Sequence, residues 1–271
     1  MNGRIVKGIG GLYTVRTLDG YVLAKPKGIF RKRGIKPLIG DFCAVDGETI
    51  TEIFPRKNEI LRPAVANIDV VLLTLFGDNI DLELVDKYII LSEAAGVSLA
   101  LCLTKTDIME DYDKIYDIYT KVGYKVLRVS AVSGSGTEEL REFIRGKSAV
   151  FTGNSGVGKS SIINLLTNSL SMETGELGRT GRGRHTTRHT ELLDLGNDTF
   201  IFDTPGFSSL EFGAEIRDMD RLFIEFAAFL GDCQFRDCLH INETNCGVKN
   251  HVGYEIPQSR YKNYVKFVLK G

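Results

Sequence analysis

Unbroken hydrophobic runs alternate with helical patterns in the middle of the chain. Residues 68–75 (IDVVLLTL) and 97–103 (VSLALCL) are apolar at nearly every position, as are strands buried on both faces of a parallel sheet. Between these runs, apolar side chains recur at helical spacing at Leu82, Val85 and Ile89. The pattern predicts buried parallel strands connected by helices.

The same alternation continues towards the C-terminus. A helix over residues 115–122 leads to a third strand over 124–129. Short apolar strands are predicted over 148–152 and 199–202, and a helix begins within 160–166. The strands of one sheet are therefore spread over about half of the chain.

The first sixty residues follow a shorter pattern. Apolar runs at residues 4–9, 12–17 and 21–23 are interrupted by Gly-Gly and Asp-Gly turns, which predicts a small β-barrel. The loop over 25–36 carries six lysines and arginines around Phe30. Cations beside an aromatic ring favour an RNA-facing surface on this loop.

Charge is unevenly distributed, although the formal net charge is only −1. Residues 1–60 hold eleven lysines and arginines against six acidic residues, and the tail from residue 249 holds five against one. Residues 64–140 hold six against thirteen. Basic ends around an acidic centre suit a protein that grips a polyanion with its flanking domains, and an ordinary solvated surface is the alternative.

The composition bears on location and on metal binding. No apolar run approaches the length of a membrane span, and the N-terminus lacks the apolar core of a signal peptide. We therefore expect a cytoplasmic protein without a membrane partner. Three of the five cysteines lie between residues 233 and 246. In a reducing compartment, that clustering favours a metal over disulfides.

Residues 153–160 (GNSGVGKS) match the phosphate-binding pattern G-x-x-x-x-G-K-[ST] at every fixed position. The glycines allow backbone N–H groups to surround phosphate oxygens. Lys159 would reach the outer phosphates, and the Ser160 hydroxyl would bind Mg²⁺. The predicted strand before the loop and helix after it supply the context that this motif requires, so a glycine-rich turn without function is the weaker interpretation.

A second polar motif follows the strand over 199–202. In residues 203–206 (DTPG), Asp203 would hold Mg²⁺ through water, and Gly206 would turn its N–H towards a terminal phosphate. The intervening segment 178–187 is rich in Gly and Arg. Alone it would be a disordered basic loop; between these two motifs it is a candidate switch loop, ordered by a γ-phosphate and a metal.

Two further motifs end the strands that precede the phosphate loop. T-K-T-D at residues 104–107 and S-A-V-S-G at 130–134 look like the guanine-reading motifs N-K-x-D and S-A-[KL] of translation-factor-type GTPases. A carboxylate at the Asp107 position accepts hydrogen bonds from guanine N1–H and the exocyclic amine, a donor pair that adenine lacks. The same resemblance implies that the Lys105 stem covers the base and that the Ala131 N–H meets guanine O6.

The order of these motifs differs from that of the common GTPases. There the phosphate loop comes first and the base-reading motifs last, whereas here the base-reading motifs come first. This order is a circular permutation. A doubly wound sheet tolerates it because the chain termini lie close together at the surface.

The C-terminal segment carries four ligand-type residues within fourteen positions: Cys233, Cys238, His240 and Cys246. Three thiolates and one imidazole suit a closed tetrahedral Zn²⁺ site of the structural kind. Buried free cysteines beside a surface histidine are the weaker alternative. Cys43 and Cys102 lie in apolar strands, and we expect them in the core. The metal would stabilise a segment with little core of its own.

The motif order, the GRGRHTT and DTPGF sequences and the cysteine spacing together resemble the RsgA (YjeQ/EngC) family, circularly permuted GTPases that assist assembly of the small ribosomal subunit. The resemblance covers nearly the whole chain. Thr104 stands where the family has Asn, and Arg188 stands where a third Thr is often found.

The resemblance implies a multi-domain fold. An N-terminal small β-barrel (OB-fold) over 1–63 is followed by a circularly permuted α/β P-loop GTPase domain over 64–212. A helical zinc-binding domain over 213–271 follows, and residues 62–65, with Pro63, are expected to be the linker after the barrel. The implied cofactors are GTP/GDP, Mg²⁺ and one Zn²⁺ per chain. The implied partners are the small ribosomal subunit and its rRNA, and we expect a monomer.

The expected nucleotide-binding residues come from the motifs above: Thr104, Lys105, Thr106, Asp107, Ser130, Ala131, Val132, Gly153, Asn154, Ser155, Gly156, Val157, Gly158, Lys159, Ser160, Ser161, Thr187, Asp203 and Gly206. The expected Mg²⁺ ligands are Ser160 and Thr187, with Thr186 as the alternative to Thr187. The zinc ligands implied by the family are the same three cysteines and one histidine.

The residue that orients the attacking water is not at its usual place. Many GTPases carry a glutamine just after DxxG, and here that position is Phe207, which can neither donate nor accept. We therefore expect slow turnover without a partner. His185 in the switch loop is the candidate catalytic residue, a role that the family resemblance also implies; the alternative is that His185 only packs against the neighbouring loop.

Three functions remain to be compared. The first is GTP hydrolysis coupled to late assembly of the small ribosomal subunit and stimulated by that subunit. The second is a non-catalytic RNA-binding scaffold that holds a structural guanine nucleotide. The third, an ATP-dependent kinase or ATPase, is disfavoured by Asp107 and the SAVSG motif.

Overall fold

The structure is a computed structural model that describes residues 1–109, 111–174, 190–204, 211–212 and 218–270. Its first five strands close into a barrel: β1 (Asn2–Ile9), β2 (Leu12–Thr17), β3 (Gly20–Pro26), β4 (Phe42–Asp46) and β5 (Thr49–Ile53). Their order is β1-β2-β3-β5-β4, and β4 pairs back with β1. Ile5, Val15 and Ile50 are fully buried inside. The prediction of a small N-terminal barrel is confirmed.

The basic loop after β3 does not present its aromatic ring to solvent. A short helix, α1 (Gly28–Lys32), crosses this region, and Phe30 is buried in the hydrophobic core with the barrel residues. The six cationic side chains around it are exposed. The apolar ring packs inwards and leaves only the cations outside, and the prediction that this loop faces RNA stays a prediction.

The expected linker after the barrel is folded. β6 (Glu59–Arg62) and β7 (Val65–Ala66) form an antiparallel hairpin, and Pro63, after a cis peptide bond, lies in its turn. Ile60 and Val65 are fully buried. Residues 62–65 are thus a packed turn, because the apolar side chains on both sides of Pro63 join the core.

A six-stranded sheet forms the middle of the chain. Its strands are β8 (Val70–Leu75), β9 (Ser98–Thr104), β10 (Lys125–Val129), β11 (Ser148–Thr152), β12 (Glu191–Asp194) and β13 (Phe200–Asp203). The strand order is β10-β9-β8-β11-β13-β12, parallel except for β12. The apolar runs seen in the sequence are therefore the buried parallel strands that they predict.

Four helices accompany this sheet: α2 (Leu82–Ala94), α3 (Asp113–Lys121), α4 (Thr137–Ile144) and α5 (Lys159–Thr174). The start of α2 is set locally, because the Asp81 carboxylate accepts from the N–H groups of Glu83 (2.9 Å) and Leu84 (3.3 Å). Strand β11, which leads into the phosphate loop, pairs with β8 on one side and β13 on the other. A strand that precedes the phosphate loop in sequence and a strand that follows it thus meet on either side of β11.

The barrel is joined to this sheet by a strand pair. β1 pairs antiparallel with the edge strand β12, with Lys7 opposite Glu191. The Lys7 ammonium lies 3.3 Å from the Glu191 carboxylate, and Arg16 of β2 forms an ion pair with Asp194 at 2.5 Å. The two sheets therefore form one continuous eleven-stranded sheet.

The C-terminal part of the chain is helical and has its own core. β14 (Glu211–Phe212) pairs with β6, three short 3₁₀ turns lie between 219 and 232, and α6 (Gly247–Asn250) and α7 (Gln258–Lys270) follow. The rings of Phe223, Phe226 and Tyr264 pack together with centroid distances of 4.9–5.3 Å. None of the helices that the structure describes is long and apolar enough to cross a membrane.

Candidate nucleotide site and metal centre

The phosphate loop follows β11 and depends on its glycines. Gly153 has a φ of 133°, and a Cβ added there would lie 2.1 Å from the carbonyl oxygen of Thr74. A side chain at this position would thus collide with the backbone of β8. Gly156 and Gly158 also adopt positive φ, at 79° and 104°. The loop then passes directly into α5, whose first N–H groups have no partner within the helix.

Lys159 is directed back onto the loop. Its Nζ donates to the carbonyl oxygens of Gly153 (2.6 Å) and Asn154 (2.7 Å). Burial lowers the pKa of this ammonium group. The cation is therefore held over the loop, where a bound phosphate would compete with two backbone carbonyls for its protons.

The hydroxyl groups at the start of α5 are open. Asn154, Ser155, Gly156, Ser160 and Ser161 are exposed, and Val157 is buried beneath them. Asp203 ends β13, the parallel neighbour of β11, so its backbone lies at the same edge of the sheet as the phosphate loop. Gly206, Phe207, His185, Thr186 and Thr187 lie outside the described residues.

Thr104 connects the first base motif to the phosphate loop. Its buried hydroxyl lies 2.5 Å from the carbonyl oxygen of Val157 and 3.1 Å from that of Leu75. One hydroxyl proton is shared between the two carbonyls. In the position where the family has Asn, Thr104 thus directs its side chain to the backbone of the protein and stabilises the loop.

Lys105 lies beside the loop in a strained conformation. Its φ is 55°, in the left-handed region that residues other than glycine rarely adopt. Its Nζ lies 4.0 Å from the centroid of the Phe76 ring, and its Cε lies 3.9 Å from where a Cβ on Gly158 would be. The aliphatic stem of Lys105 therefore lies along the phosphate loop. Phe76 was missed by sequence reasoning, although its position directly after the run at 68–75 could have indicated it.

The two base-reading motifs meet through a hydrogen bond. Ser130 Oγ donates to Asp107 Oδ1 at 2.5 Å, and it accepts from the N–H groups of Val132 (3.2 Å) and Ser133 (3.1 Å). Strands β9 and β10 are parallel neighbours with Thr104 opposite Val129, so the loops after them are adjacent. The Asp107 Oδ2 atom has no hydrogen bond to a described residue and can accept from a ligand.

The backbone supports this pair. Gly136 has a φ of 72°, and a Cβ there would lie 1.8 Å from the carbonyl oxygen of Arg128. The hydroxyl of Tyr112, a second residue that sequence reasoning missed, donates to the carbonyl oxygen of Thr104 at 2.7 Å. Thr106 and Ala131 are half-buried and Val132 is exposed, so the backbone of both motifs is accessible.

The C-terminal ligand-type residues converge on one point. The Sγ atoms of Cys233, Cys238 and Cys246 and a ring nitrogen of His240 all lie within 4.8 Å of one another. His240 Nδ1 is 3.5 Å from Cys233 Sγ and 3.3 Å from Cys246 Sγ. Three sulfurs and one nitrogen at these separations fit a tetrahedral metal site, and this donor set suits Zn²⁺.

A carboxylate lies behind the histidine. His240 Nε2 lies 3.6 Å from Asp220 Oδ2, which leaves Nδ1 on the side of the sulfurs. At this distance the buried Nε2 forms no hydrogen bond with a described residue. Burial raises the pKa of the Cys246 thiol, so a metal ion would have to displace its proton. Asp220 was not predicted, because only the fold brings it to His240.

Two family models together match residues 2–213 of the chain. One is described as the RsgA N-terminal domain and matches residues 2–52, and the other is described as the RsgA GTPase and matches residues 53–213. A curated relative from Caldanaerobacter subterraneus subsp. tengcongensis, named small ribosomal subunit biogenesis GTPase RsgA, is 40% identical over 98% of this chain and 94% of its own length. A relative of the same name from Clostridium beijerinckii is 42% identical over 98% of this chain and 96% of its own length.

Two solved structures have the same architecture over nearly the whole chain. YjeQ from Thermotoga maritima is 31% identical and covers 99% of this chain and 97% of its own, with a TM-score of 0.81. YloQ, described as a circularly permuted GTPase, is 33% identical and covers 99% of this chain and 94% of its own, with a TM-score of 0.79. The circular permutation inferred from the motif order is thus also that of a solved relative.

Proposed function

This chain belongs to the RsgA family of GTPases and is a GTP hydrolase, and from that premise we propose that it acts in small ribosomal subunit biogenesis, with the subunit as its partner. The relatives that share its full length carry that function in their names. The observation that carries the proposal is the hydrogen bond between Asp107 and Ser130, which unites the two base motifs beside the phosphate loop.

The guanine specificity would come from Asp107. Its Oδ1 is held by Ser130, so Oδ2 is oriented to accept from the base. Guanine offers N–H donors at this edge and adenine does not, so adenine would leave the Oδ2 acceptor without a partner. The Lys105 stem would cover the base, and the backbone of Ala131 would meet its carbonyl oxygen.

The phosphates would lie in the loop formed by residues 153–160. The N–H groups of the loop and of the start of α5 would bind phosphate oxygens, and Lys159 would exchange its carbonyl partners for the outer phosphates. Ser160, Asp203 through water, and Thr187 or Thr186 would hold Mg²⁺, which neutralises charge on the phosphates when bound. The products are GDP and inorganic phosphate, with the oxygen of water joined to the transferred phosphorus.

His185 would position the attacking water, because Phe207 cannot do so. Small subunits would order the loop that contains His185, through contacts of their RNA with Arg179, Arg182, Arg184 and Arg188. Ordering a loop costs about 1–2 kcal/mol per residue fixed, and a large RNA partner can offset that cost. The basic barrel loop and the basic tail would provide further contacts to rRNA.

The Cys₃His centre would hold one structural Zn²⁺ per chain. The domains would extend over 1–63, 64–212 and 213–271, and the protein would act as a monomer in the cytoplasm, where its partner is assembled. Support for the metal comes from the donor set and from the carboxylate of Asp220 behind His240. Hydrolysis would release the subunit by changing the conformation of the switch segments next to the C-terminal domain.

A GTP hydrolysis assay with and without small ribosomal subunits tests the proposal. We expect slow turnover alone and at least a tenfold increase with mature subunits, which requires about 1.4 kcal/mol of barrier lowering. Large subunits serve as the control and are expected to leave the rate unchanged. A rate that no ribosomal particle increases, together with tight subunit binding, would favour the alternative of a non-catalytic scaffold with a structural nucleotide.

A further inference from the structure

A groove of about 640 Å³ lies between the barrel and the sheet of the GTPase. It is formed at the amino ends of the parallel strands, where Asp69 precedes β8, Ser148 begins β11 and Phe200 begins β13. The phosphate loop follows the carboxyl end of β11, so the groove lies a strand length away, about 16 Å. Its volume is within the range of pockets that hold small organic ligands.

A buried cation lines the groove. The Arg4 side chain, from β1, is 7% exposed and packs between two aromatic rings, with its guanidinium carbon 4.9 Å from the centroid of Phe42 and 4.7 Å from that of Phe200. Its Nε donates to the carbonyl oxygen of Gly40 (3.2 Å) and one Nη to that of Asn67 (3.1 Å). Burial lowers the pKa of Arg4 to about 10, so it stays charged at neutral pH.

Arg4 has no carboxylate partner among the residues that the structure describes, and its other Nη forms no hydrogen bond with them. The neighbouring charges are already paired. Lys57 lies 2.9 Å from Asp69, and Arg16 forms its ion pair with Asp194. Asp198, an exposed carboxylate that also lines the groove, lies 4.0 Å from Arg16. Hydrogen bonds from Lys57 and Ser148 lower the pKa of Asp69 against the opposing effect of its partial burial, so this carboxylate stays ionised. A buried guanidinium with an unused donor is a site for an anion.

The rim of the groove is apolar and open. Phe42 is 46% exposed and Leu18 is fully exposed, and both line the groove together with Phe54. Exposed aromatic rings beside a phosphate-binding cation are the combination with which proteins hold a nucleotide, because the ring stacks on the base.

We propose that this groove is a second nucleotide site, separate from the GTP site, that binds one nucleotide unit through its phosphate at Arg4 and its base against Phe42. The nucleotide could be free or could be part of an RNA strand, because the two share this chemistry. Uridine nucleotides distinguish the groove from the GTP site, since they lack the donor pair that Asp107 would read.

The test is calorimetric titration of the full-length protein, saturated with GDP, with uridine 5′-monophosphate and with a uridine hexanucleotide. We expect one nucleotide unit bound per chain.

Arg4→Met and Phe42→Ala should each weaken binding by about tenfold, the effect of losing one charge-assisted hydrogen bond or one stacked base. Tyr21→Ala, which removes a barrel aromatic of 57% exposure outside the groove, should leave binding unchanged. Thermal unfolding of each variant identifies any loss of folding, and Phe42→Ala decides the matter if Arg4→Met does not fold.

Binding of both probes would assign the groove to any nucleotide unit, and binding of the hexanucleotide alone would assign it to RNA. Three outcomes would overturn the proposal. The first is that neither probe binds at concentrations up to about 1 mM. The second is that Tyr21→Ala weakens binding as much as Phe42→Ala does. The third is that inorganic phosphate binds as tightly as uridine 5′-monophosphate.

Discussion

At the scale of single residues, small polar side chains connect motifs that are distant in sequence. Thr104 joins the end of β9 to the phosphate loop, and Ser130 joins Asp107 to the loop after β10. Both hydroxyls are buried, and each makes more than one contact. Buried hydrogen bonds of this kind rigidify a site because an unpaired partner is costly. The proposed nucleotide site is thus preorganised before a ligand enters.

Asp107→Asn should change the preferred base from guanine to xanthine. The carboxamide presents a donor where the carboxylate accepts, and xanthine offers a carbonyl in place of the exocyclic amine of guanine. Fluorescent GDP and XDP titrations measure the change, and we expect at least a tenfold reversal of preference. Asp111→Asn, an exposed aspartate in the same region, is the matched control and should keep the guanine preference. Equal binding of ADP and GDP by the unmodified protein would contradict the assignment of Asp107.

His185→Ala should abolish most of the stimulation by small subunits and leave GTP affinity nearly unchanged. The imidazole would act on the attacking water and not on the ground-state nucleotide, so the loss appears in kcat. Single-turnover hydrolysis with subunits and equilibrium binding of a slowly hydrolysed GTP analogue separate the two quantities. His251→Ala, on a half-exposed histidine of the C-terminal domain, is the control. If both variants are stimulated as strongly as the original protein, His185 does not position the water.

At the scale of elements, the edge strand β12 is held by the barrel. It follows the segment that contains the switch motif, pairs with β1 and forms ion pairs through Glu191 and Asp194. The next strand, β13, ends at Asp203. The barrel is therefore attached through β12 to β13, the parallel neighbour of the strand that leads into the phosphate loop.

The Cys₃His cluster is the second feature that belongs to this scale, because a metal bound there would hold together short turns with little regular structure. Cys238→Ala should remove zinc and destabilise residues 218–270 while it leaves GDP affinity of the core unchanged. Mass spectrometry of metal content and amide hydrogen exchange measure these effects. Cys43→Ala, at a buried cysteine of the barrel, should retain one zinc per chain. Freshly purified protein without zinc, never exposed to a chelator, would exclude the zinc site.

At the scale of the whole molecule, a buried ionic cluster docks the C-terminal domain on the GTPase. Arg260 of α7 is fully buried and lies 2.8 Å from Asp86 of α2 and 2.7 Å from Glu225. Asn263 donates to the same Asp86 carboxylate at 2.6 Å. Burial acts against the charge of Arg260, but its two carboxylate partners raise its pKa above the usual value, so the cation persists. The C-terminal domain is thus coupled to the core through α2.

Arg260→Met should lower the free energy of unfolding by about 3–5 kcal/mol, because two carboxylates would lose their cation in a dry interface. Chemical denaturation, followed by circular dichroism, measures the change. Lys266→Met on the same helix removes an exposed pair with Glu83 of α2, and it should lower the stability much less than Arg260→Met does, because water screens the exposed pair. Similar losses for the two variants would show that the buried cluster does not carry the docking energy.

Local sequence patterns are sufficient to predict the parts of this protein whose geometry lies within a few consecutive residues. The phosphate loop needs its glycines at set positions, the buried strands need unbroken apolar runs, and the cysteine spacing brings three sulfurs to one centre. The motif order also revealed the permutation, because parallel strands bring their carboxyl ends to one edge whatever their order in the chain. Family membership and the fold class followed from these local patterns.

Contacts between side chains that are distant in sequence depend on the folded arrangement of the whole chain. Phe30 is apolar and flanked by cations, and the residues around it in sequence do not indicate that its ring packs into the barrel core. Asp220 and Arg4 lie far in sequence from the groups that they contact, so no spacing predicts them. The contacts of Asp86 with Arg260 span 174 residues and depend on how α2 and α7 pack. Such contacts are set by the arrangement of whole elements in space, which the local pattern of hydrophobic and polar residues does not encode.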